Sequence, residues 1–178
     1  MYSLAIKLMK IIILGVFPLL LISSAGKDTK LIPLALNGTY MLQLEEGLLY
    51  NVSGVISFNT AMETAANGRC FSVLELNFLG DDEVLPHHME VMVSKESNTS
   101  TLPLGNYKVG TVDSFLNPSN SLFAAFSSDV LGEQLYFTKN GNIRITHFCK
   151  TSVKGTLSLV LENQVGKTIR IKGDFDAR

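Results

Sequence analysis

The last forty residues alternate, and that constrains the fold more than anything else in the chain. In 142–149, "NIRITHFC", Ile143, Ile145, His147 and Cys149 fall on one side, and Asn142, Arg144, Thr146 and Phe148 on the other. In 153–162, Val153, Gly155, Leu157, Leu159 and Leu161 oppose Lys154, Thr156, Ser158, Val160 and Glu162. In 167–177, Ile169, Ile171, Gly173 and Phe175 oppose Thr168, Arg170, Lys172 and Asp174. Successive strand side chains point to opposite faces, so a period of two over three segments predicts half-buried antiparallel strands. The joints "KNGN", "KTS" and "NQVGK" carry turn residues. The spacing predicts a C-terminal three-stranded β-meander.

The same rhythm runs upstream through 38–44, 50–58, 69–79, 88–94, 106–112 and 121–127. About nine strand-like segments predict an all-β domain: an antiparallel β-sandwich, with a β-barrel as the alternative. Only 58–68, "FNTAMETAANG", offers a helix, two turns capped by Asn59 or Thr60 and stopped by Gly68; the alternative there is a long connecting loop. Segment 114–121 reads as a loop, and 26–34 as a loose lead-in to the first strand. No internal repeat or linker divides the chain, so 26–178 reads as one domain, long enough to bury its own core.

Residues 1–25 have the three parts of an export signal. Lys7 and Lys10 precede the apolar run "IIILGVFPLLLI", and Ser23 and Ala25 stand at the −3 and −1 positions of a cleavage between Ala25 and Gly26. Twelve apolar residues make about 18 Å of helix, short of the roughly 30 Å hydrocarbon core of a bilayer. Lipid attachment after cleavage needs a cysteine at the new N-terminus, and the residue there is Gly26. The expectation is an exported protein of the periplasm, cell surface or extracellular space, without a stable membrane anchor once the signal is removed.

The C-terminal half, with Val153, Gly155 and Thr156, then Gly166, Lys167, Ile169, Ile171 and Phe175, and earlier "LPLGNYKV", resembles a group of small exported β-domains of unknown function from Bacteroidota cell envelopes. The resemblance implies an envelope location and a β fold. It implies no catalysis. Many of those domains are lipoproteins, and the missing cysteine departs from that pattern.

Without Lys7 and Lys10, the 15 basic residues become 13 against 16 acidic ones, a charge near −3 with no basic run. Phosphate binding needs clustered Lys or Arg, so nucleic acid is not an expected partner. The chain has no G-x-S-x-G elbow and no EF-hand loop. Sugar platforms favour exposed aromatics, and this chain has no Trp. Its three N-x-S/T sequons, at Asn37, Asn51 and Asn98, are about as many as chance supplies.

Five residues carry what metal or thiol chemistry there is: Cys70, His87, His88, His147 and Cys149. Adjacent strand residues face opposite ways, so His87 and His88 do not share a site. Alternation puts His147 and Cys149 beside Ile143 and Ile145 on the core side. A spacing of about 7 Å between residues two apart on a strand argues against a Cys–His dyad. In an oxidising compartment Cys70 and Cys149 are candidates for a disulfide. The acidic turn with Asp81, Asp82 and Glu83 reads as a solvated connection. No catalytic residue, cofactor or metal ligand is assigned. The expected function is a non-enzymatic binding or structural component, with an unidentified protein or glycan as partner. A glycan- or small-ligand-binding module and a hydrolase with a site dispersed over loops are the alternatives.

Overall fold

The computed structural model describes residues 38–178, apart from 66, 81–84, 100, 111–120 and 133. The segment read as an export signal, with Ala25 and Gly26, the stretch 26–34 read as a lead-in, residues 81–83 read as an acidic turn and most of 114–121 read as a loop lie outside the described residues.

Nine strands follow one another: β1 (Gly38–Glu46), β2 (Leu48–Thr64), β3 (Cys70–Gly80), β4 (His87–Glu96), β5 (Gly105–Lys108), β6 (Ser121–Ser127), β7 (Tyr136–Cys149), β8 (Ser152–Glu162) and β9 (Thr168–Ala177). They lie in the order β5-β7-β6-β4-β3-β2-β1-β9-β8, and β7 also pairs with β8. That last pairing closes the sheet. Eight strands therefore form an antiparallel barrel, and the architecture is the barrel rather than two packed sheets. The C-terminal meander is β7–β8–β9, as the alternation predicts.

β7 makes closure possible. It is 14 residues long and bulged between Thr138 and Asn140 and again between Ile145 and His147. Bulges bend a strand and increase its twist. β6 pairs with β7 only at Tyr136 and Phe137. β5 then takes over the same edge, from Asn142 to Ile145, and fills the opening where β6 diverges. Partners traced from Tyr136 through Phe126, Met89, Phe78, Ile56 and Gly38, and on through β9 and β8, lead back to β7 near Phe148. That stagger of about twelve residues tilts the strands by roughly 40–45°.

Residues 58–64 are strand, neither helix nor loop. They continue β2 against β3 as far as the Thr64–Cys70 pair, leaving a short turn in which Gly68 takes φ 80°. Helix preference at Ala, Met and Glu amounts to a few tenths of a kcal/mol per residue, and a continuous ladder outweighs it.

The barrel interior is filled. Leu44, Ile56, Leu74, Leu76, Phe78, Met89, Phe126 and Tyr136 point inward and are fully buried. The β1–β2 turn, the β6–β7 connection and the β8–β9 turn meet at one end of the barrel, because the last residues of β1 pair with the first of β9 and the last of β8 with the first of β7. The β2–β3 and β7–β8 turns lie at the other.

Candidate functional site

Neither the histidines nor the cysteines gather at one point. His87 points into the barrel and is buried. His88 points out, with Nε2 3.7 Å from Glu90 Oε1. Cys70 opens β3 and is half-buried; Cys149 closes β7 and is exposed. Among the described residues, no three His, Cys, Asp or Glu side chains are grouped to hold a metal ion.

The second β7 bulge reverses the expected orientation of His147 and Cys149. Ile145 pairs with Gly155, but His147, not Thr146, pairs with Lys154. One extra residue inverts the parity of everything after it. Phe148 therefore packs toward the core opposite Val153, while His147 and Cys149 face solvent. The Cys149 thiol is lowered to about 7, first by the backbone N–H of Thr151, then by the Thr151 hydroxyl and by His147. Cys149 Sγ lies 3.6 Å from Thr151 Oγ1.

The proposed Cys70–Cys149 disulfide is absent; both thiols are free. β4 and β6 lie between the strands that carry them. Three strand spacings put the two on the order of 14 Å apart along the wall, against the roughly 7 Å limit between Cα atoms of a disulfide. Cys70 Sγ sits instead 3.8 Å from Thr64 Oγ1, across the β2–β3 ladder.

His87 belongs to a polar pair inside the barrel. Its Nδ1 donates to the Leu85 carbonyl at 2.7 Å, and its Nε2 lies 2.7 Å from the Tyr40 hydroxyl. The Leu85 carbonyl can only accept, which sets the tautomer and leaves Nε2 to accept from Tyr40. The imidazole stacks on Phe126 at 5.8 Å, and Tyr40 meets Phe78 edge-on at 5.1 Å. Two glycines clear the space. A methyl on Gly80 would stand 2.0 Å from the His87 ring, and one on Gly54 2.8 Å from the Tyr40 hydroxyl. The sequence signal was there in "VSGVIS" and "NFLG": glycine inside a strand marks close approach by another group. This pair is walled in by aromatic side chains and belongs to the core.

Five of the ten large exposed apolar side chains among the described residues lie on or beside connections at the β1–β2 end; Met41, at 74%, is exposed on the wall of β1. Leu48 and Leu49 follow the turn glycine Gly47, Val165 precedes Gly166 in the β8–β9 turn, and Val130 and Leu135 flank the β6–β7 connection. Val165 is 72% exposed and Leu48 67%. Polar contacts tie these turns together. Lys167 pairs with Glu46, which raises the lysine above its ordinary value. Asn163 Nδ2 donates to Gln134 Oε1 at 2.9 Å, and Asn163 Oδ1 accepts from the backbone N–H groups of Val165 and Lys167. The rim is thus braced while its aliphatic side chains face water. Sequence alternation missed it, because turn residues lie outside the period; "EEGLLY", with two leucines after a turn glycine, was the available signal.

On the outer wall, an open depression of about 430 Å³ is lined by Met41, Gln43, Asn51, Lys172 and Asp174 among others, with no aromatic side chain. Tyr40, Tyr107 and Tyr136 are buried and Tyr50 is half-buried. No protein-family model matches the chain, and no match appears among curated proteins or solved structures.

Proposed function

We propose that this protein is an exported, non-enzymatic binding component of the cell envelope or extracellular space, and that it holds a protein partner through the β1–β2 end of its barrel. The braced rim of Leu48, Leu49, Val130, Leu135 and Val165 carries this reading. Isolated exposed aliphatics are ordinary, but several on three neighbouring connections form the kind of patch that marks an interaction site. The outer-wall depression has no aromatic side chain in its lining to serve a glycan, and it has one lysine and one aspartate rather than a convergent catalytic set. The export signal supports the location.

A photo-crosslinking residue at position 49, in the protein exported by its own host, tests this. A discrete protein adduct is expected there and none from position 75, where Glu75 is exposed on the wall of β3. Leu48→Ser/Val165→Ser, at two other rim positions, should abolish the adduct from position 49 while costing no more than about 0.5 kcal/mol of stability, as for exposed sites. No adduct from positions 49, 130 or 165 would refute the reading.

A further inference from the structure

Strand pairing assembles on the outer wall a polar row that the sequence scatters over six segments. Lys108 of β5 stands opposite Asn142 of β7, Asn142 opposite Ser158 of β8, and Ser158 opposite Lys172 of β9. Lys172 then faces Gln43 of β1, and Gln43 faces Asn51 of β2. All six point away from the core, since residues beside them, such as Tyr107, Ile143, Leu159, Ile171, Leu44 and Val52, are buried. Five strand spacings give the row a length on the order of 24 Å. It holds no carboxylate and no apolar side chain.

The two neighbouring rows add one cation each. Arg144 pairs with Thr156, which pairs in turn with Asp174; Arg170 pairs with Glu45 across the β1–β9 ladder. Among the described residues, Arg69, Lys139, Lys154, Lys167 and Arg178 are in ion pairs with carboxylates. Lys95, Lys108, Arg144, Lys150, Arg170 and Lys172 are not, and four of these six lie on this wall. Two depressions, of about 180 and 430 Å³, flank the row and share Gln43 and Lys172.

We propose that this wall binds a linear acidic polysaccharide, with carboxylate groups at the unpaired cations and sugar hydroxyls between them. Spacing and charge complementarity select this ligand. Lys108 and Lys172 are three strand spacings apart, about 14 Å, with only Asn142 and Ser158 between them. Charge is therefore sparse, while hydrogen-bonding capacity is continuous. The amides of Asn142, Gln43 and Asn51 both donate and accept, as hydroxyls do. Asp174 and Glu45 accept from hydroxyls but repel a densely charged phosphate backbone. Charge-assisted hydrogen bonds to carboxylates hold such a chain without an aromatic platform. The row wraps five of the barrel's strands besides β5, so a flexible chain follows it where a flat, rigid surface does not. Each exposed contact is weak, and several along one chain reinforce one another. The row uses no side chain of the apolar rim, so either surface can fail its test without the other.

Fluorescence anisotropy of a labelled polygalacturonate oligomer with the purified protein tests this, at about 50 mM salt, where exposed charges are weakly screened. Binding is expected, and it should weaken as salt rises. Arg170→Gln/Lys172→Gln should weaken it at least about tenfold, and Lys108→Gln/Arg144→Gln likewise. Lys95→Gln/Lys150→Gln removes the same charge from other parts of the surface and should change binding less than about twofold. Unfolding midpoints should agree across all three variants. Neutral dextran should not compete, and duplex DNA should compete at least about tenfold less well than unlabelled polygalacturonate. Absence of binding at low salt, an equal loss in the Lys95/Lys150 variant, or equal competition by DNA or dextran would overturn the proposal.

Discussion

Replacing Gly80 with Ala adds one methyl group and should be among the costliest small changes in the barrel. The new Cβ would stand 2.0 Å from His87 Cε1, 2.3 Å from Nδ1 and 2.6 Å from Nε2. The ring has little freedom to retreat. It is held by hydrogen bonds at both nitrogens, each 2.7 Å, and lies between Phe126 and Tyr40. Displacing it weakens two bonds worth about 1 kcal/mol each net and adds an overpacking cost of about 1–3 kcal/mol. Their sum is about 3–5 kcal/mol. At a urea slope of about 2 kcal/mol/M the midpoint should fall by about 1.5–2.5 M. The decisive measurement is a double-mutant cycle with His87→Ala. Once the ring is gone its volume can take the methyl, so Gly80→Ala should then cost under about 1 kcal/mol. An equal cost in both backgrounds, or a cost below about 0.5 kcal/mol in the native one, would refute the steric argument.

Alkylation of Cys149 by iodoacetamide should follow a titration centred near pH 7; Thr151→Val should move that midpoint upward, and His147→Ala should do so by less. Mass spectrometry of the oxidised, unfolded chain should find both Cys70 and Cys149 alkylable without prior reduction, and a stable 70–149 crosslink would contradict the barrel order. Gly155→Ala should destabilise by at least about 2 kcal/mol in urea unfolding, because its Cβ would press the Arg144 carbonyl oxygen at 2.3 Å and the Phe175 ring at 2.7 Å. Asp176 is held below the usual carboxylate range by Arg178 and then Lys154. Its contribution to stability is therefore present above the unfolded value near 3.9 and lost as pH falls through the lowered folded one. Asp176→Asn should flatten that acid limb of a stability–pH profile and cost under about 1 kcal/mol at pH 7, since the pairs are partly exposed.

Legibility in the sequence followed locality. The period of two in 153–162 and 167–177 places Val153, Leu157, Leu161, Ile169, Ile171 and Phe175 inward, and they are buried. In β7 the same reasoning held up to Ile145 and failed after it, because a bulge is a property of the pairing between two strands and leaves no mark in the alternation of one. His147 and Cys149 changed sides for that reason, and an expected core pair became an exposed histidine beside an exposed thiol. Segment 58–64 failed differently. The helix preference of Ala61, Met62 and Glu63 is small, and the ladder with β3 made the segment strand.

Strand content, the meander and an inward apolar face for most strands were thus settled by the chain itself, since each depends on side chains two apart along one segment. Closure into a barrel, the separation of Cys70 from Cys149, the space that Gly54 and Gly80 leave for Tyr40 and His87, and the gathering of Leu48, Val130 and Val165 at one end were decided by tertiary structure. Each requires strands far apart in sequence to find a particular neighbour and stagger, and no local pattern encodes that choice.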